Sequence, residues 1–134
     1  MSATESRSSF SPVRVGVLIL ALATAGIHLY LFLIEGFLGS GTMLPIYQLL
    51  FVGNVFAYVT LAVVLNLPVS SLARFRPVVR VLLIAIATAS IISYFYVGVI
   101  DTTGNVDKVI EVLLIALLTV DAAASDPGDG SSGR

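Results

Sequence analysis

The chain contains no cysteine and no tryptophan, a single histidine, and charged residues at only 11% of its positions. Each scarcity excludes something. Without cysteine there are no disulfides, thiolate metal sites, iron–sulfur clusters or thiol nucleophiles. One histidine leaves a bis-histidine haem available only between subunits. The shortage of charge matters most, because a soluble domain carries roughly 25% charged residues to cover an exterior that faces water. With 57% hydrophobic residues and a mean hydropathy of +1.04, this chain needs an apolar solvent. A net charge of -1 and a pI near 5.6 speak against a nucleic-acid partner. At 134 residues there is room for one domain.

What is present is a set of four apolar runs. A hydrocarbon core about 30 Å thick is crossed by roughly 20 helical residues. The runs predict helices over about residues 13–35, 44–67, 78–100 and 106–124, an all-α antiparallel bundle of four transmembrane helices. Pro12 precedes the first, Thr42 reads as the N-cap of the second and Pro68 closes it. Pro77 and Arg80 introduce the third, which ends near Gly98. Asn105 reads as the N-cap of the fourth, which Glu111 and Asp121 interrupt. Runs such as VGVLILALA and VLLIAIA are apolar on both faces, which excludes the alternation of a barrel strand. Ala21-Leu22-Ala23 resembles a signal-peptide cleavage site, but the apolar run continues well past it, so the helix is expected to be retained. Residues 1–12 and 125–134 are small and polar and read as disordered tails.

Orientation follows from the positive charges. Arg7, Arg14, Arg74, Arg76 and Arg80 lie before the first run or between the second and third, whereas the other two loops offer only Lys108. The positive-inside rule then puts both termini in the cytoplasm, in a multi-pass protein of the cell membrane. The basic loop can also touch anionic headgroups. Tyr30, Phe32, Phe37, Tyr47 and Tyr94-Phe95-Tyr96 fall at the expected outer interface, and Phe56 and Tyr58 lie deeper. Small residues four apart, at Ala21 and Ala25, Gly53 and Ala57, and Ala85 and Ala89, offer faces for close helix packing.

Polar groups inside a membrane are expensive and usually face protein or water. At about 1.5 Å rise per residue, His28 lies roughly 21 Å above Arg14, and Tyr94 the same distance above Arg80. Gln48 sits in the first turns of the second helix, and Lys108 and Glu111 in those of the fourth. Four helices thus bring His28, Gln48, Tyr94, Lys108 and Glu111 to one depth near the outer face. Lys108 and Glu111 are helix neighbours, as are Asp107 and Glu111. His28 and Glu35 share a face. Each residue also has a plainer account. His28 suits a hydrogen-bonded packing residue, Glu111 and Asp107 suit first-turn acids, and Asp121 and Glu35 suit the interfaces. Asn54, near the bilayer centre, is expected to make interhelical hydrogen bonds.

No HExxH, GxSxG or glycine-rich phosphate loop is present, and no N-x-[ST] sequon. No catalytic residue, metal site or cofactor is expected, and the chain is not expected to be an enzyme. The stretches Gly26-Ile27-His28-Leu29-Tyr30-Leu31 and Val106-Asp107-Lys108-Val109-Ile110-Glu111 resemble a family of small four-helix membrane proteins of halophilic archaea, whose function is not known. The resemblance implies a plasma-membrane protein of this topology and supplies no activity. Small multidrug transporters share the size but carry a carboxylate deep in the first helix, which is missing here, and fluoride channels fit no better.

Two functional expectations remain. The first is a non-enzymatic accessory or scaffold subunit, packing with itself or with another membrane protein in the lipid bilayer. The second is a small transporter or ligand-binding bundle that uses the outer-leaflet polar cluster, and it requires those side chains to converge between the helices.

Overall fold

The computed structural model describes residues 11–37 and 44–125, with side chains up to residue 34 and again from residue 44. The expected tails therefore lie almost wholly outside the described residues, as do Thr42 and the side chains of Glu35 and Phe37. The described chain is helical: α1 (Pro12–Leu31) runs into a π-helical turn (Phe32–Phe37), followed by α2 (Pro45–Asn66), a short α3 (Ser70–Ala73), α4 (Arg76–Val97) and α5 (Thr102–Ser125). No strand occurs among the described residues.

The boundaries have local causes. Ser11 Oγ accepts from the backbone N–H of Arg14 at 3.4 Å, and Pro12 follows where its missing donor costs nothing. Pro45 opens α2 in the same way, after Leu44, which caps the helix without a side-chain bond. Pro68 forces Leu67 into an extended conformation (φ -67, ψ 129), so α2 stops at Asn66. Gly98 ends α4 in the left-handed region (φ 77), its N–H bonded to Tyr94 O at 3.1 Å.

The start of α5 differs from the expectation. Helix begins at Thr102, and Asp101 holds the capping position: its Oδ1 accepts from the Gly104 N–H at 2.9 Å, and its carbonyl from the Asn105 N–H at 2.9 Å. Asn105 is thus inside the first turn. The TTG triplet is drawn into the helix because Gly104 packs directly under the Tyr94 ring, where a Cβ would collide.

Three helices, Pro12–Ile34, Pro45–Asn66 and Arg76–Val97, are long and apolar enough to cross a membrane. The four long helices form a ring of contacts: α1 packs on α2 and α5, and α4 closes the ring against α2 and α5. Val17, Ala21, Tyr58, Ala62, Leu65, Leu83, Leu114 and Leu118 meet along its axis with no exposed surface. Of the expected small-residue pairs, Ala21 and Ala25 are buried, whereas Gly53, Ala85 and Ala89 are exposed. The inward face of α4 instead follows Val79, Leu83 and Ala87, two residues out of phase with the Ala85–Ala89 stripe, which therefore lies on the opposite side of the helix.

Helix α5 is arranged inside out relative to a helix in water. Its buried stripe is Gly104, Asp107, Lys108, Glu111, Leu114, Leu118 and Asp121, which takes in every charged residue of the helix. Its outward face is Val106, Val109, Val112, Leu113 and Val120, each at least half exposed.

Candidate functional site

Two of the four charged residues on the α5 stripe are adjacent, a third is one turn on, and the helices around them supply matching partners. The Lys108 ammonium donates to Glu111 Oε2 at 2.6 Å, to Asp107 Oδ2 at 2.8 Å and to Ser90 Oγ of α4 at 2.7 Å. Its three protons are thereby used. The other oxygens of the two acids are taken from α1 and α2. Thr24 donates its hydroxyl to Asp107 Oδ1 at 2.5 Å, and Tyr58 donates to Glu111 Oε1 at 2.8 Å.

His28 sits one helical turn above Thr24. Its Nδ1 lies 2.9 Å from the Thr24 carbonyl oxygen, which can only accept, so Nδ1 carries a proton. The same nitrogen is 3.8 Å from Asp107 Oδ1, and the ring leans on Phe51 and Tyr58, with centroids 5.4 and 6.0 Å away. Thr24, Tyr58 and Glu111 have no exposed surface, and His28, Asp107 and Lys108 keep 8% or less.

The charge count decides what this network wants. Two carboxylates face one ammonium, with Tyr58, Thr24 and Ser90 neutral, so a neutral His28 leaves one negative charge uncompensated in an interior that screens poorly. A proton on His28 or on a carboxylate balances the site, and so does a cation brought close to it. His28, Asp107 and Glu111 each offer a ligand atom within 4.8 Å of the others, a spacing that a metal ion can use. The Lys108 ammonium already bridges the two carboxylates there, so a metal would have to displace it.

Above the network lies a cleft of about 720 Å³ between α2 and α4. Its walls include Tyr47, Leu50, Phe51, Ile86 and Tyr94, and its floor is made by His28, Asp107 and Lys108. Tyr94 roofs one side, its ring centroid 5.6 Å from Lys108 Nζ. Its hydroxyl donates to Asn105 Oδ1 at 2.9 Å and accepts from the Asp101 N–H at 3.1 Å, which ties the rim of the cleft to the start of α5.

Of the residues singled out from sequence, His28, Lys108 and Glu111 come together, and Tyr94 borders them. Gln48 is half-buried and does not line the cleft, because the face of α2 turned that way carries Tyr47, Leu50, Phe51 and Asn54. Asn54 is on the cleft wall. Four contributors were not among the candidates: Asp107, Thr24, Tyr58 and Ser90. Asp107 is a buried partner of Thr24 and Lys108, not simply a first-turn acid. Its signal in the sequence is the series 107, 111, 114, 118, 121, spaced alternately by four and three, which puts all five residues on one helix face.

Asp121, expected at an interface, is instead 2% exposed and paired with two arginines from other helices. Arg80 Nε of α4 donates to its Oδ2 at 2.6 Å, and Arg14 Nε of α1 to its Oδ1 at 3.2 Å. Arg80 also reaches Ser125 Oγ at 2.9 Å.

No protein-family model, curated protein or solved structure matches the chain.

Proposed function

We propose that the chain is a small multi-pass protein of the cell membrane that binds, and through binding carries, small apolar cations in exchange for a proton. The observation that carries this reading is the convergence of polar side chains from α1, α2, α4 and α5 on one buried network with an excess acid, at the floor of an apolar-walled cleft. Apolar walls with a few converging polar groups are the usual form of a small-molecule site.

The membrane setting is supported by α5. Its 24 residues extend about 36 Å, enough to cross a bilayer core. Its charges point inward and its valines outward, as an apolar solvent demands. In this reading α5 is the fourth span. Arg14 meets Asp121 while Thr24 meets Asp107, and Arg80 meets Asp121 while Lys108 meets Ser90, so α1 and α4 both run antiparallel to α5. The arginine-rich end then faces the cytoplasm, with both termini, and the cleft opens outward.

An accessory or scaffold subunit, the other expectation from sequence, needs a packed bundle but not a charged interior beside an open cleft. Lipid accounts for the apolar outer faces without a protein partner. No bond-making step is assigned to the site, and the role is not enzymatic.

The test is equilibrium binding of tetraphenylphosphonium, a neutral analogue and an aryl sulfonate to the purified chain in mild detergent, across pH 5 to 8. Preference for the cation, weakening at low pH and a roughly tenfold loss in Asp107→Asn, a change of about 1.4 kcal/mol, are expected. Binding of none of the three, or binding that Asp107→Asn and Phe51→Ala leave unchanged, contradicts the reading.

A further inference from the structure

The opposite end of the bundle carries a second site of reversed sign. Arg14 of α1 and Arg80 of α4 share the single carboxylate of Asp121, and Arg76, at the start of α4, adds a third guanidinium. All three line a cavity of about 420 Å³ together with Ala73, Pro77 and Ser125. Three positive charges against one negative leave an excess of two. The donors are also underused. Arg76 makes one long bond, from its terminal nitrogen to Leu67 O at 3.4 Å, and its Nε is buried with no partner among the described residues. A buried N–H without an acceptor costs about 1–3 kcal/mol, so such an atom marks a place where an acceptor is wanted.

We propose that this cavity binds a phosphate group, held by Arg76 and by the N–H groups of Arg14 and Arg80 that Asp121 and Ser125 do not occupy. Guanidinium forks match paired phosphate oxygens, and Asp121 holds two of the three forks in place. Small apolar residues beside the charges leave room for a glycerol backbone. The source is an anionic phospholipid of the surrounding leaflet, since basic pockets between helices at the cytoplasmic face are suited to lipid headgroups. Only this assignment of source rests on the membrane reading, and the charge excess stands without it.

The experiment uses the full chain purified in mild detergent. Bound lipid is read by native mass spectrometry, and thermal protection is read with phosphatidylglycerol, phosphatidylcholine or inorganic phosphate added. Phosphatidylglycerol is expected to remain bound and to raise the melting temperature, with phosphatidylcholine far weaker. Arg76→Gln should lower phosphatidylglycerol affinity about fivefold to tenfold. That variant leaves the Asp121 pairs intact, and its melting temperature without lipid serves as the folding check. Arg74, stacked on Phe75 with its guanidinium carbon 4.8 Å from the ring centroid, is outside the cavity, so Arg74→Gln should bind as the wild type does. Protection by inorganic phosphate that Arg76→Gln removes would support the same site with free phosphate as its ligand. Equal losses in the two arginine variants would reveal diffuse surface attraction and overturn the proposal. So would equal binding of the two lipids, or protection by neither lipid nor phosphate.

Discussion

The two ends of α5 solve the same problem with opposite excess. At one end Asp107 and Glu111 outnumber the one ammonium between them, and at the other Asp121 is outnumbered by Arg14 and Arg80. Ten residues of helix, about 15 Å, separate Glu111 from Asp121, and Leu114 and Leu118 fill the interval with no exposed surface. The acid-rich network is closed: both oxygens of each carboxylate and all three Lys108 protons have partners. The arginine cluster is open: its three arginines line a cavity, and the buried Arg76 Nε has no partner among the described residues. A closed network can change state by taking up or losing a proton, and an open one by taking up an anion.

Removing charges one at a time sharpens this comparison. The largest effect is expected for Lys108→Met, which strands two buried carboxylates. Breaking a buried pair costs about 3–5 kcal/mol, so a sharp drop in melting temperature or folded yield in detergent should follow, with partial recovery in the Lys108→Met, Glu111→Gln double variant. Asp121→Ala strands Arg80, but Arg14 keeps 20% of its side chain exposed and can reach water. Its cost should fall below that of Lys108→Met in the same assay. If Asp121→Ala proves the worse of the two, the arginine end and not the acid network is the keystone of the bundle.

Smaller changes probe the connections. Tyr58→Phe deletes one hydrogen bond to a buried carboxylate and should cost about 1.5–3 kcal/mol. No loss would mean that the Tyr58 hydroxyl makes no net contribution to the network. Gly104→Ala puts a Cβ against the Tyr94 ring and the Asp101 carboxylate and should cost about 1–3 kcal/mol by overpacking, relieved in part in the Gly104→Ala, Tyr94→Ala double variant. Arg76→Gln, outside both buried pairs, should change stability by less than about 1 kcal/mol without lipid, because the half-buried guanidinium makes a single long hydrogen bond and loses little when removed.

The helices were legible because apolar runs bounded by Pro12, Pro68, Pro77 and Gly98 leave little freedom of interpretation. The start of α5 was not, because Asp101 and Asn105 are both residue types that suit an N-cap, and the bond from the Gly104 N–H to Asp101 Oδ1 together with the packing of Gly104 on Tyr94 decides between them. The site was half legible. Depth along each helix follows from counting residues, so His28, Lys108 and Glu111 could be brought to one level. Which way a side chain turns around the helix axis depends on neighbours not written in the local sequence. Gln48 reached the right depth and does not line the cleft, whereas Tyr58, one turn beyond Asn54, faced inward. Asp107 and Asp121 belonged to a heptad stripe obscured by reading each acid as a terminal residue.

The most direct test is proton release on cation binding. Tetraphenylphosphonium is added to the purified chain in weakly buffered detergent near neutral pH, and the pH change is followed with an indicator dye. Release of protons in step with binding is expected for the wild type, and Asp107→Asn, which binds the cation more weakly, should release correspondingly fewer at the same cation concentration. Full occupancy by the cation with no proton released from the wild type would contradict the exchange of proton for cation at the buried network.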